Sequence, residues 1–178
     1  KSFWVQKDEE TTRIANYEGE IQVSSGDNSV VIEENHGSKI GADGELGKSR
    51  ELLHATSLTA PANNSILAGG SIKLEWGLVT QAVRYLLQVS ADYSFKNIII
   101  NSEDIQEGTF TTEGLKDGAY YWTIAAIDRE GFPGPTSPRG FFYIFSDTTH
   151  PFLYVIHPQE QDIFKTDTLH ITGETEAN

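Results

Sequence analysis

Between residues 57 and 146 one pattern recurs: a short apolar or alternating run, then a turn marked by Gly, Pro, Asn or Asp. Seven such runs are present: SLTAP (57–61), SIKLEW (71–76), VRYLLQVS (83–90), NIII (97–100), GTFTT (108–112), AYYWTIAAID (119–128) and RGFFYIF (139–145). In SIKLEW, Ile72, Leu74 and Trp76 alternate with Lys73 and Glu75, so one face meets a core and the other meets water. Tyr85, Leu87 and Val89 share a face of the third run, and Tyr120, Trp122, Ile124 and Ala126 share a face of the sixth. Short strands at this spacing with inward aromatics predict a two-sheet β-sandwich whose core is about 10 Å thick.

The flanks are also β in character. Residues 1–45 contain FWV (3–5), TTRIA (11–15), EIQVS (20–24) and SVVIE (29–33), separated by KDEE, NYEG, SGDN and ENHG. Gly and Asn in these separators supply turn conformations, and the pattern predicts a small antiparallel meander. A piece this size buries little surface alone, so it reads as the end of a larger β domain. Residues 46–56 change character and are expected to form a linker with a helical turn or two. In residues 147–178, FLYVI (152–156), a turn at Pro158 and TLHITGET (168–175) predict a C-terminal strand pair, the start of a further module. The expected class is therefore all-β: a sandwich flanked by a meander and a strand pair.

Composition excludes several functions. Nucleic-acid binding requires clustered Lys and Arg, whereas 13 basic residues face 26 acidic ones here. The net charge of −13 is spread along the chain, −5 before Ser57, −3 up to Ser146 and −5 beyond, which favours solubility over a dedicated acidic patch. The absence of cysteine removes disulfides, thiolate metal sites and thiol nucleophiles. No apolar run approaches the ~20 residues that span a bilayer, and no basic start leads into an apolar stretch. A chain with no methionine reads as a piece of a longer protein, with any targeting segment lying outside it.

The residues Trp76, YLLQVSADYSF (85–95) and LKDGAYYWTIAAIDREGFPGPTSP (115–138) resemble the fibronectin type III pattern. The resemblance implies that Trp76 packs beneath a Tyr and apolar residues of the sixth strand. It also implies a tyrosine corner just after the Asp117–Gly118 turn, at Tyr120 or, failing that, Tyr121. EGEIQVSSGDNSVVIEENHGSKI (18–40), followed by ELLHATSLTAPANNSIL, resembles the closing strands of a FecR-type domain leaving for an adjoining sandwich. Such proteins occur in bacterial envelopes, often with a LysM peptidoglycan-binding module upstream. The tail from residue 147 resembles the first two strands of a bacterial Ig-like module.

Catalytic patterns are missing. His36, His54, His150, His157 and His170 lie in different modules without the i, i+4 spacing of a helical zinc site. No G-x-S-x-G turn, phosphate loop or dinucleotide motif occurs. Glu9, Glu10, Glu33, Glu34, Glu103 and Asp104 are adjacent acids on turns, read as solvated faces rather than a glycosidase pair. The turns SGDNS (25–29) and GADGE (41–45) lack the ligand count for calcium. Neither a cofactor nor a metal is expected.

Binding residues are sought instead on loops held by rigid strands. The loop REGFPGPTSP (129–138) offers Arg129 and Phe132, with the alternative that its Gly and Pro residues fix a turn and Phe132 packs on the sheet. Tyr93 and Phe95 suggest a carbohydrate-stacking pair, although the family resemblance reads them as a plug over the core. The leading expectation is a non-catalytic structural or interaction segment of an exported envelope protein, periplasmic or outer-membrane associated. It spaces modules and offers loops to a protein or a cell-wall glycan. The alternative is an accessory carbohydrate-binding sandwich beside a catalytic domain of a carbohydrate-active enzyme.

Overall fold

The computed structural model describes residues 2–146, 153–157, 163 and 168–175. Their regular structure is entirely β, as expected. The chain forms two compact units, residues 1–146 and 147–178.

The first unit opens with β1 (Phe3–Lys7), β2 (Thr11–Asn16), β3 (Ile21–Ser25), β4 (Asn28–Ile32), β5 (His36–Gly41) and β6 (Arg50–Glu51). The four-stranded sheet runs β1-β2-β5-β6, antiparallel throughout, while β3 and β4 pair as a separate hairpin between β2 and β5. Asn16, wholly buried, donates its side-chain amide to the carbonyls of Gly19 and Ile32 and thereby fastens the base of the hairpin.

Two features differ from the expectation for this region. β5 begins within ENHG, because Asn35 adopts φ 57° and turns the chain early enough for His36 to pair with Asn16. Residues 46–56 contain no helical turn. Arg50 and Glu51 pair with Gly37 and His36, and Leu52 is buried, since its apolar side chain finds a core that a solvated helix could not provide.

The sandwich comprises β7 (Leu58–Ala60), β8 (Ser65–Leu67), β9 (Ile72–Trp76), β10 (Arg84–Ser90), β11 (Ile98–Ile105), β12 (Thr109–Thr112), β13 (Gly118–Ile127) and β14 (Gly140–Ile144). One sheet orders β12-β9-β7 and the other β11-β10-β13-β14-β8, with β8 alone parallel to its neighbour. This is a fibronectin type III-like sandwich. The expected inward faces supply the core, with Ile72, Leu74 and Trp76 from one sheet meeting Tyr85, Leu87, Val89, Tyr120, Trp122, Ile124, Phe142 and Ile144 from the other.

Trp76 meets Tyr85 edge-on at 5.7 Å, so its ring partner sits on the third sequence run rather than the sixth. Tyr120 stacks on Phe142 at 5.5 Å, and its hydroxyl donates to the carbonyl of Lys116 at 2.8 Å, which assigns the tyrosine corner to Tyr120. Gly140 admits no side chain, because a Cβ there would collide with the Trp122 indole. β11 extends well past NIII into polar residues, as an edge strand with little burial permits. The short β8 escaped the sequence pattern because its central residue, Ile66, is exposed.

The second unit contains β15 (Leu153–His157) and β16 (Thr172–Thr175), an antiparallel pair with a register shift between Val155 and His157. The turn at Pro158, the start of FLYVI at Phe152 and His150 lie outside the described residues.

Candidate functional site

Two places in the first unit gather the residues singled out by sequence. The first is the loop after β13. Its shape comes from Asp128, whose carboxylate oxygen accepts the backbone N–H groups of Glu130 (2.9 Å) and Phe132 (3.0 Å), an Asp-capped turn completed by Gly131 at φ 86°. That turn points Phe132 inward. Phe132 is 1% exposed and packs with Ala15 and Leu52, flanked by Trp4 and Tyr17 of the N-terminal segment.

Polar contacts close the same junction. Arg50 lies over the Phe132 ring with its guanidinium carbon 5.4 Å from the centroid, and reaches Asp128 at 2.9 Å and Glu130 at 2.5 Å. The Asp128 contact is an ion pair by distance, without the alignment of a hydrogen bond. Arg13 donates through Nε to the Glu130 carbonyl at 2.7 Å, Lys39 pairs with Glu130 at 3.3 Å, and the Tyr17 hydroxyl donates to the Pro133 carbonyl at 3.0 Å. Partial desolvation alone would raise the Glu130 pKa, but the hydrogen bond from Lys39 and the charges of Arg50 and Lys39 outweigh it and hold the carboxyl below its usual value. Burial pushes the Tyr17 phenol up, so it stays a donor.

Position 37 shows how closely the two parts fit. A Cβ on Gly37 would lie 2.9 Å from a Phe132 ring carbon and 3.0 Å from Leu52, so only glycine lets β5 approach this near. The placement of Phe132 as a surface binding residue is therefore corrected: its ring is spent inside the junction. Arg129, next to it, stays exposed and borders a hollow of about 430 Å³ with Gln81, Val83 and Arg50.

The second place is the turn between β10 and β11. Asp92 organises it by accepting hydrogen bonds from the Ser94 hydroxyl (2.5 Å) and the N–H groups of Ser94 (2.8 Å) and Asn97 (2.6 Å). The Ser94 hydroxyl, followed by the Asn97 N–H, holds this carboxyl far below its ordinary range. Tyr93 projects outward at 62% exposure, and Phe95, at φ 56°, is half-buried. Tyr93 is thus no plug over the core. Arg139 covers both rings, its guanidinium carbon 4.3 Å from the Tyr93 centroid and 5.7 Å from that of Phe95.

The row of rings continues across the sheet. Tyr121 on β13 meets Tyr93 edge-on at 5.6 Å with an interplanar angle of 86°, and Phe141 on β14 lies 5.0 Å from Tyr121. With Asn63, Asn64 and Arg139 these residues line an open hollow of about 330 Å³. The structure therefore brings Tyr93 and Phe95 together and places Arg129 and Phe132 on another loop.

No protein-family model matches the chain, and no curated protein matches it. Among solved structures, it is similar to a Fn3-like protein from Clostridium thermocellum, with a TM-score of 0.41 and 17% identity over 53% of this chain and 93% of that one. It is similar to the fibronectin(III)-like modules of Clostridium thermocellum CbhA, with a TM-score of 0.35 and 17% identity over 51% of this chain and 94% of that one. It is also similar to the FN1-FN3 domains of chicken CNTN1, with a TM-score of 0.37 and 13% identity over 86% of this chain and 68% of that one.

Phe141 and Arg139 were not singled out by the sequence patterns, and Tyr121 was named only as the second tyrosine-corner candidate, although a signal for its outward placement existed. Tyr121 alternates with the core residues Tyr120 and Trp122, and Phe141 with Phe142, so period two turns both outward. Among the described residues no three His, Asp or Glu side chains gather as a metal site would require, and no helix is long and apolar enough to cross a membrane.

Proposed function

We propose that this chain is a non-catalytic spacer of an exported, multimodular bacterial envelope protein, in which the N-terminal sheet and the sandwich act as one rigid link. In this reading residues 1–45 are the closing part of a FecR-like domain and residues 46–56 the connection. Residues 57–146 are the sandwich, and residues 147–178 open a further Ig-like module. The observation that supports it is the burial of Phe132 beneath Arg50. The sandwich loop best suited to seize an outside partner instead clasps the preceding sheet. A flexible tether has no use for a buried ring, several ion pairs and a glycine-only contact at one joint, whereas a fixed-distance spacer requires them.

Amide ¹⁵N relaxation on the full chain tests the rigid link. Residues of β2 and β5 and residues of β10 and β13 are expected to report one common rotational correlation time. Separate correlation times in the unaltered chain refute the spacer. Export is tested by fractionating bacteria that express the full-length gene product, where recovery outside the cytoplasm is expected and retention inside it contradicts the envelope assignment.

A further inference from the structure

The hollow bounded by Tyr93, Tyr121 and Phe141 has a chemical bias that the spacer role does not explain. In a chain carrying 26 acidic residues, its lining contains no carboxylate, and neither does that of the adjoining hollow on the other side of Arg139. Asn63 uses its side-chain oxygen to accept the Phe141 N–H at 2.9 Å, which leaves its NH₂ to donate. Arg139 has no acidic partner among the described residues and rests on aromatic rings instead. Arg139 and the Asn63 NH₂ thus offer donors, beside the Asn64 amide and the tyrosine hydroxyls, which can donate or accept, around a floor of the Tyr121 and Phe141 rings, tilted at 42°, and a wall of Tyr93 set at 86° to Tyr121.

We infer that this hollow binds a pyranose ring bearing a carboxylate, as found in uronic-acid polysaccharides. The C–H face of a pyranose is apolar and lies well on an aromatic floor, while its edge is rich in oxygen acceptors. A carboxylate on that edge matches the planar guanidinium of Arg139 with two parallel hydrogen bonds, and the Asn63 amide serves the ring hydroxyls. The volume of about 330 Å³ suits one such ring and falls at the small end of ligand sites, about 300–1,000 Å³. The hollow opens to solvent, so neighbouring sugars of a chain continue outward from it.

Titration calorimetry of the full chain with oligogalacturonate tests the inference, using a neutral gluco-oligosaccharide of equal length as comparison. Saturable binding to the acidic oligosaccharide is expected, at least tenfold tighter than to the neutral one. Arg139→Ala is expected to weaken it tenfold or more, with partial recovery in Arg139→Lys, and Tyr93→Ala to weaken it to a similar degree. Both side chains are exposed, so the variants should keep the unaltered melting curve, and Lys73→Ala, on the other sheet, should bind like the parent chain. No saturable binding to the acidic oligosaccharide overturns the site. So does binding that Arg139→Ala and Tyr93→Ala leave unchanged, and equal affinity for the neutral chain overturns the assignment to a carboxylated sugar. The relaxation measurement on the junction is independent of all these outcomes, because Arg139 and Tyr93 take no part in it.

Discussion

At the scale of single residues, Phe132 carries the most consequence for its size. Removing a fully buried phenyl ring costs about 3–5 kcal/mol, so Phe132→Ala should lower the urea midpoint sharply, and chemical denaturation with a constant m-value would register it. Gly37→Ala should also destabilise, since the added methyl meets the same ring at 2.9 Å; the double variant Gly37→Ala/Phe132→Ala should then lose less than the sum of its parts. Arg50 sits at the mixed edge of the joint, its side chain 38% exposed, so solvent screening reduces what its ion pairs contribute. Sequence alone identified Phe132 and left open whether it faces outward or packs on the sheet. The deciding partner, Leu52, lies 80 positions earlier in a segment whose local pattern carried no strand signal.

At the scale of elements, period two was enough to place most of the sandwich, because each strand there has one face in the core and its inward residues are large. β6 and β8 stayed hidden for the complementary reason. Each is too short to show a period, and each exists only because a partner strand is already in place. The β10–β11 turn makes a testable case of local chemistry. The carboxyl of Asp92 is held below its ordinary value of 3.8, chiefly by the Ser94 hydroxyl, and that of Asp117 lies below its own ordinary value through the Ser146 N–H and hydroxyl. A group with a depressed pKa in the folded chain stabilises it above the unfolded value and loses that contribution as pH falls through the folded one. Urea midpoints should therefore hold steady above about pH 5 and decline as acid passes below about 4, and Asp92→Asn should flatten part of that decline. An unchanged acid limb in this variant would deny the turn its assigned role.

At the scale of the whole molecule, the N-terminal sheet and the sandwich share a joint made from parts of both. Phe132→Ala combined with Arg50→Ala should free the two sheets to tumble apart, raising the spread of ¹⁵N correlation times between β5 and β13 while each sheet keeps its own amide pattern. The aromatic hollow was only half legible. Tyr93 and Phe95 stand in one turn and attract notice together, but Tyr121, Phe141 and Arg139 join them solely because β10, β13 and β14 run side by side. Which residues share a surface is a property of strand order, and strand order is not written in any one segment.

The turn set by Asp128 has a further consequence for how such a chain can change over generations. In an isolated sandwich the connection between the last two strands is the natural place to vary, because little leans on it. Here Tyr17, Arg13, Lys39 and Arg50 all grip that connection, so substitutions across residues 128–134 should be poorly tolerated in a saturation-mutagenesis survey scored by protein abundance. Freedom to diversify passes instead to the exposed rings and amides beside Arg139, where new recognition can arise without loosening the joint.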